Sequence, residues 1–308
     1  MSFLNEIASE RFPLTVEDDR GKEITIPEKP ERIVSLMPSG TEILFALHLD
    51  NLVVGVTTYC NYPPRVENMK EEGRLVEVGG YTTFSVEEVI GLNPDLVLAG
   101  QYKAMPEDRI QSLEEVGLKV ICLEAENIPD AIGEIQLIGR VCGYASRAEE
   151  MAENLSEEIN SIIEITQGLS EDERPRVFWE SWWEPIYTSG SGTFVNEIIE
   201  ISGGQNIFSD LEAWCVVSRE AIIERNPEVY IISPMGGRPR TASDVEKEPG
   251  FGGLDAVVEN RVYKVPIDIF SRPGPRLADA AKVLAYYLHP DLFEKPTLPY
   301  AEVENMAG

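Results

Sequence analysis

The side chains that could do chemistry in this chain are aromatic. Tyr59, Tyr62, Tyr81, Trp179, Trp182, Trp183, Tyr187 and Trp214 mostly fall just past apolar runs that read as strands, and all four tryptophans lie within 179–214. Such rings offer large rigid faces to a flat apolar ligand, with hydroxyl or indole tips for its polar edges. Trp179, inside a strand pattern, reads as core. Tyr59, Tyr81 and Trp214, among turn formers and polar neighbours, read as ligand contacts. Asp268 and Arg272, close together near the C-terminal end, can hydrogen-bond amide or phosphate groups on the same ligand.

Catalytic constellations are missing by comparison. The chain has two histidines, His48 after an apolar helix and His289 before Pro290, and both read as structural or solvated. There is no nucleophile elbow, phosphate loop or zinc-protease motif, and no strand leads into Gly250–Gly253 as a dinucleotide fingerprint would need. Cys60, Cys122, Cys142 and Cys215 form no CxxC pair or metal spacing, so free buried thiols are expected, with no metal site and no intrinsic cofactor. Binding without catalysis is the favoured class.

A net charge of −28 over 308 residues excludes nucleic acid and anionic membrane as natural partners and suits a salty milieu. With 43% hydrophobic residues, each half of the chain can bury a core. No apolar run reaches the length of a membrane span, and the N-terminal dozen residues lack the apolar core of a secretion signal.

The elements that position the aromatics alternate. Apolar strands at 32–37, 52–57, 96–99 and 119–123 are separated by helical patterns, one after the break at Pro38-Ser39-Gly40 and running through Leu47, the others at 86–92, 106–116 and 129–141, which implies a parallel sheet with helices on both faces. A hairpin is expected around Asp18–Gly21. Residues 146–168 read as a helix of roughly 30 Å, with Ser146 and Glu149 as a capping box and Met151, Leu155, Ile159 and Ile162 as its apolar stripe. Beyond it, strands at 176–180, 229–233 and 261–265 alternate with helices at 193–202, 219–225 and 275–288, and 236–253 is loop with one short helix.

The two sides of the long helix share a pattern. Ser85–Gly100 and Ser218–Ser233 each run as a capping serine, a short helix, an Asn-Pro stop and an apolar strand. Identities fall at Ser85/Ser218, Glu87/Glu220, Ile90/Ile223, Asn93/Asn226 and Pro94/Pro227. Ser39-Gly40-Thr41 and Ser191-Gly192-Thr193 give a second echo. The expected fold is therefore α/β, two Rossmann-like lobes with central parallel sheets joined by one long backbone helix. The expected organisation is an N-terminal tail and hairpin over 1–31, a first lobe over 32–145, the connecting helix over 146–168, a second lobe over 169–290 and a tail over 291–308.

From about Arg32 to Leu288 the chain resembles the class III substrate-binding proteins of ABC importers for cobalamin, siderophores and haem, its cobalamin binders above all. The segments that carry the resemblance are Tyr59–Pro64, Pro185–Gly190, Gly203–Phe208 and Trp214 with Val217–Glu220. The resemblance implies a cobalt corrinoid as bound ligand, gripped between the lobes by Tyr59, Tyr81, Tyr187 and Trp214 with Asp268 and Arg272 nearby. Tyr81 and Tyr187 stand where cobalamin binders carry a tryptophan and a phenylalanine, and Gly100 replaces a further tryptophan. It also implies that Glu87 and Glu220, one on each lobe, dock into the permease subunits, which work with their ATPase, and that the protein is a monomer outside the cytoplasm. It would be periplasmic or lipid-anchored, with the leader missing from residues 1–12. Two other readings compete: a ferric-siderophore or haem binder, for which Arg65, Arg238 and Arg240 supply cations, and a cytoplasmic enzyme on paired Rossmann-like lobes. A pure interaction module would not need aromatics gathered at strand ends.

Overall fold

The computed structural model describes residues 11–100, 106–233, 240–298 and 303–305. It divides into two compact units, one running through Ala125 with Pro129–Leu155, the other comprising Glu126–Ile128 and the chain from Ser156 onward.

In the first unit, β1 (Leu14–Glu17) and β2 (Glu23–Ile26) form the expected antiparallel hairpin. Its turn is pinned by Asp18, whose buried carboxylate accepts from the backbone N–H groups of Arg20, Lys22 and Cys122 and from the Arg20 guanidinium. There follow β3 (Ile33–Ser35), α1 (Pro38–Ala46), β4 (Val53–Val56), α2 (Arg65–Glu71), β5 (Val76–Glu77), α3 (Val86–Gly91), β6 (Leu96–Gly100), α4 (Glu107–Glu115), β7 (Val120–Leu123) and α5 (Ile128–Val141). The five strands from β3 to β7 make one parallel sheet in the order β5-β4-β3-β6-β7. Strands β6 and β7 are buried throughout, as apolar runs in a doubly covered sheet must be.

α6 (Ala145–Thr166) carries the long periodic stretch, and the boundary between the units falls inside it. Its start differs from the expected capping box. Tyr144 precedes the helix and its carbonyl accepts from the N–H groups of Arg147 and Ala148. Ser146 therefore lies within the first turn, and Glu149 accepts from the Gln136 side chain instead. The buried stripe is Ala148, Ala152, Leu155, Ile159, Ile162 and Thr166, at spacings of four and three, while Met151 is only half-buried. Alanines replace larger residues at the N-terminal end because α5 runs so close: a Cβ on Gly139 would come within 2.1 Å of the Ala148 Cβ.

The second unit continues with β8 (Arg176–Glu180), β9 (Ile186–Ser189), α7 (Phe194–Ile201), β10 (Gln205–Asn206), β11 (Trp214–Val217), α8 (Arg219–Arg225), β12 (Val229–Ile232), α9 (Ala242–Glu246), α10 (Asp255–Val258), β13 (Val262–Lys264), α11 (Ile267–Ser271), α12 (Leu277–Leu288) and β14 (Glu304–Asn305). Its sheet has the order β10-β8-β12-β13-β14, parallel except for the edge strand β14. Strands β9 and β11 stand apart as an antiparallel two-stranded ribbon.

The repeat is visible in geometry. Ser85 and Ser218 accept from the N–H groups of Glu88 and Ala221 as N-caps of α3 and α8, and Asn93 and Asn226 both take the left-handed conformation beyond those helices. The second echo does not correspond. Thr193 caps α7, whereas Thr41 lies inside α1, which starts at Pro38, and bonds the Ser35 hydroxyl. The expected short helix in 236–253 is α9; Arg238 lies outside the described residues.

Ile162 packs with Ala281 and Ala285 of α12 and with Ile201 and Phe293. Ile162→Ala is expected to lower the urea unfolding free energy by about 2–4 kcal/mol, against less than about 0.5 kcal/mol for Glu153→Ala on the exposed side of the same helix. A second test concerns Glu134 of α5, which is buried with Oε2 unpartnered. Burial, then the charges of Asp19, Asp130 and Glu124, push its carboxyl up to about 8 from an ordinary 4.5, against a backbone hydrogen bond from Ala125. The folded state therefore holds a proton that the unfolded chain releases, so this contribution is complete below pH 4.5 and is lost as pH rises through 8. The unfolding free energy from urea titrations should fall across that window, by up to about 1.4 kcal/mol per pH unit. Glu134→Gln should flatten the fall and be the more stable form at pH 8.5 or above.

Candidate ligand-binding site

Parallel α/β sheets bind ligands beyond the carboxyl ends of their strands, at the point where the strand order reverses. In the second unit that point lies between β8 and β12, and the chain leaves β8 directly into Ser181-Trp182-Trp183. The exit is held by backbone bonds: the N–H of Ser181 donates to the Tyr187 carbonyl, and the N–H of Tyr187 donates to Trp182. Trp182 thereby joins the ribbon of β9 and β11.

Alternation along the ribbon decides which side chains face out. Ile186 and Val217 pack into the core of the unit. Tyr187, Trp214 and Val216 share the opposite face and are 39, 40 and 54% exposed. Trp214 is set by a close backbone approach, in which Gly190 donates to the Ala213 carbonyl. A Cβ on Gly190 would lie 2.3 Å from the Leu211 carbonyl oxygen, so no larger residue fits. Ser181, Trp182, Tyr187 and Trp214 line an open pocket of about 290 Å³, almost wholly apolar. That volume is at the low end for small-molecule sites. It can seat one edge of a large ring system.

Next to Ser181 in the chain stands a charge cluster, buried at Glu180 and Arg240. Glu180, the last residue of β8, is 1% exposed; Arg240 Nε lies 3.1 Å from its Oε1, and the Tyr230 hydroxyl donates to its Oε2 at 2.5 Å. Burial pushes the Glu180 carboxyl upward, against Arg240 and the Tyr230 hydrogen bond. The Arg240 guanidinium stacks 3.6 Å above the Trp183 ring, and Arg219 stacks on the same ring. Arg219 pairs with Glu248 at 2.8 Å and with Glu184. Trp183 is thus turned into the unit, edge-on to Phe251, while Trp182 stays at the pocket.

The predicted site residues divide as follows. Tyr187 and Trp214 meet in the pocket, but within strands and not in the loops expected of them. Trp182 completes the site; it was one of the aromatics in the sequence, and nothing in its spacing separates it from Trp183, which packs inward. Trp179 is core, 1% exposed against Phe270. Asp268 of α11 and Arg272 at its end pair with each other at 2.8 Å.

In the first unit, Tyr59 follows β4 and Tyr81 follows β5, on adjacent loops tied by the Thr58 N–H to the Gly79 carbonyl. Tyr59 is 60% exposed, its ring edge next to Gly80. Tyr81 packs on the core of that unit, and burial raises its hydroxyl pKa, with Glu124 and Glu134 adding to the effect. At Gly100 a Cβ would lie 2.9 Å from that of Met37, so Met37 occupies the space a larger residue would need.

Glu87 and Glu220 sit at equivalent places in the first turns of α3 and α8, both exposed. Ser85 donates to the Glu87 carboxylate; the Glu220 carboxyl is held low by its own backbone N–H and by Ser218. His48 is exposed, and His289 is buried with Nε2 donating to the Gly203 carbonyl. Cys122 and Cys142 are buried free thiols pushed up to about 12 by burial. Among the described residues no group of three or more His, Cys, Asp or Glu could hold a metal ion, and no helix is long and apolar enough to cross a membrane.

Comparison with known proteins bears directly on this arrangement. Residues 33–268 match the periplasmic binding protein family. An uncharacterized ABC transporter substrate-binding lipoprotein of Bacillus subtilis (strain 168), YvrC, is 35% identical over 93% of this chain and 89% of its own length. The vitamin B12-binding protein of Pectobacterium carotovorum subsp. carotovorum (strain PC1) is 29% identical over 84% of this chain and 88% of its own. A solved structure of a possible iron-binding (periplasmic solute-binding) protein from Staphylococcus epidermidis ATCC 12228 is 31% identical, with a TM-score of 0.73 over 85% of this chain and all of that one. The enzyme reading falls with these findings: the chain belongs to the periplasmic binding protein family, as a non-enzymatic substrate-binding component of a class III ABC importer.

Proposed function

We propose that this protein captures a cobalt corrinoid outside the cytoplasm and delivers it to the permease of its importer. The observation that carries the reading is the apolar pocket of Trp182, Tyr187 and Trp214, whose ring faces suit a flat macrocycle and leave its polar rim to solvent. Similarity to a vitamin B12-binding protein along most of both chains supports it. Tyr59 and Tyr81 are proposed as ligand contacts of the first unit, and Asp268 and Arg272 as a paired polar contact of the second.

A ferric ligand is the second reading, favoured by the similarity to the possible iron-binding protein of Staphylococcus epidermidis. Anionic siderophores need free cations, and here the two described arginines that would supply them, Arg65 and Arg240, are committed. Arg65 pairs with Asp50 at 2.6 Å, and Arg240 is buried against Glu180. An uncharged corrinoid makes no such demand.

A titration panel of cyanocobalamin, cobinamide, hemin and a ferric siderophore, followed by tryptophan fluorescence, tests the choice. Saturation by the two corrinoids at one ligand per monomer is expected; a response confined to hemin or the siderophore would replace the corrinoid by that ligand. Trp214→Ala should weaken cyanocobalamin binding on the order of 30-fold with an unchanged circular dichroism spectrum.

We further propose that Glu87 and Glu220 dock the protein onto the permease. Their equivalent placement on a repeated capped helix suits a membrane partner built from two like subunits. The Glu87→Ala/Glu220→Ala double variant should bind ligand as the unmodified protein does and lose most uptake in reconstituted vesicles. Normal transport by that variant would remove the docking role.

A further inference from the structure

Ser181 lines the pocket, yet its hydroxyl has no hydrogen-bond partner and the residue is 2% exposed. A buried hydroxyl left unpaired forfeits its hydration without return, so each such group calls for an explanation. The residue is fixed at its backbone, with its N–H on the Tyr187 carbonyl, directly beyond β8 where the strand order reverses. Rotation about χ1 alone carries the hydroxyl between staggered positions. Among the described lining residues the other three are aromatic, so Ser181 is the one that can offer the pocket an aliphatic hydroxyl, at once donor and acceptor.

We infer that Ser181 Oγ is a specificity contact for an uncharged carboxamide on the rim of the flat ligand. This rests on the reading of the pocket given above. The group it meets must be able to exchange hydrogen bonds with a hydroxyl turned toward the pocket, and an amide offers both a donor and an acceptor. A carboxylate edge would bring negative charge next to Ser181, whose chain neighbour Glu180 belongs to a cluster with Glu184 and Glu248. The arginines there, Arg219 and Arg240, already pair with those acids and stack on Trp183. A neutral amide avoids that repulsion and satisfies the orphaned oxygen.

The test compares two macrocycles, cyanocobalamin with carboxamides on its rim and hemin with carboxylates, titrated into the unmodified protein and into Ser181→Ala. The expected result is a loss of about 3- to 10-fold in cyanocobalamin affinity with hemin affinity unchanged. Removing an unpaired hydroxyl should leave the urea midpoint the same or higher, so the variant is expected to fold. Ser181→Cys, which nearly keeps the volume but is a weak donor, should lose affinity in the same direction. Equal cyanocobalamin affinity in all three proteins overturns this inference and leaves the function standing. An equal loss for both macrocycles overturns the amide assignment, and failure of the unmodified protein to bind cyanocobalamin overturns the inference together with the corrinoid reading.

Discussion

The pocket depends on one buried carboxylate. Glu180 ends β8 inside the second unit, where an isolated charge could not remain, and it is held by Arg240 on one oxygen and Tyr230 on the other. Breaking a buried pair by removing one partner costs about 3–5 kcal/mol, because the remaining charge has nowhere to go. Arg240 must therefore stay over Trp183, and Trp183 must stay turned inward against Phe251. With that ring occupied, the neighbouring Trp182 is the one left at the surface, bridged to Tyr187. A charge pair outside the described pocket lining thus decides which of two adjacent tryptophans forms the wall.

The rest of the site follows from topology. A parallel sheet needs crossover connections, so its strand ends open into loops on one edge, and side chains gather there. Both units obey this, but not with the same order. Counted along the chain, the first sheet runs 3-2-1-4-5 and the second 2-1-3-4-5. The strand preceding the repeated helix is an edge strand of the sheet in the first unit and half of a separate ribbon in the second. That ribbon, free of the sheet, has one face on the core and one in solvent, which is why aromatics can occupy its outer positions.

Much of this is legible in the sequence because it depends on local periodicity. The helix Arg219–Arg225 and the strand Arg176–Glu180 fall where the apolar spacing puts them, and the serine caps of the repeat are local signals that tertiary packing has no reason to override. The failures are instructive in the same terms. Ser146 and Glu149 have the spacing of a capping box, but a tight turn at Cys142–Tyr144 starts the helix two residues earlier than that box would, and the pattern shifts inside it. Trp182 and Trp183 cannot be told apart by sequence, since their fates depend on Arg240, distant in the chain. The same distance hides Arg240 itself, which looks like a free cation until Glu180 is seen beside it.

The commitment of these cations shapes how the protein can hold a ligand. With 54 acidic against 26 basic residues, the chain surrounds any bound molecule with negative potential. Attraction between charges would be weak in the salty surroundings such an acidic surface suits, where screening acts within about 8–10 Å or less. Contact between ring faces has no such weakness, because burial of apolar surface does not depend on a Coulomb field. On the proposed reading, an aromatic wall whose neighbouring Arg219 and Arg240 are already paired would be a means of capture that salt does not erode, and it would suit neutral ligands better than anionic ones. On this view the acidity of the surface and the apolarity of the pocket are two answers to the same physical condition.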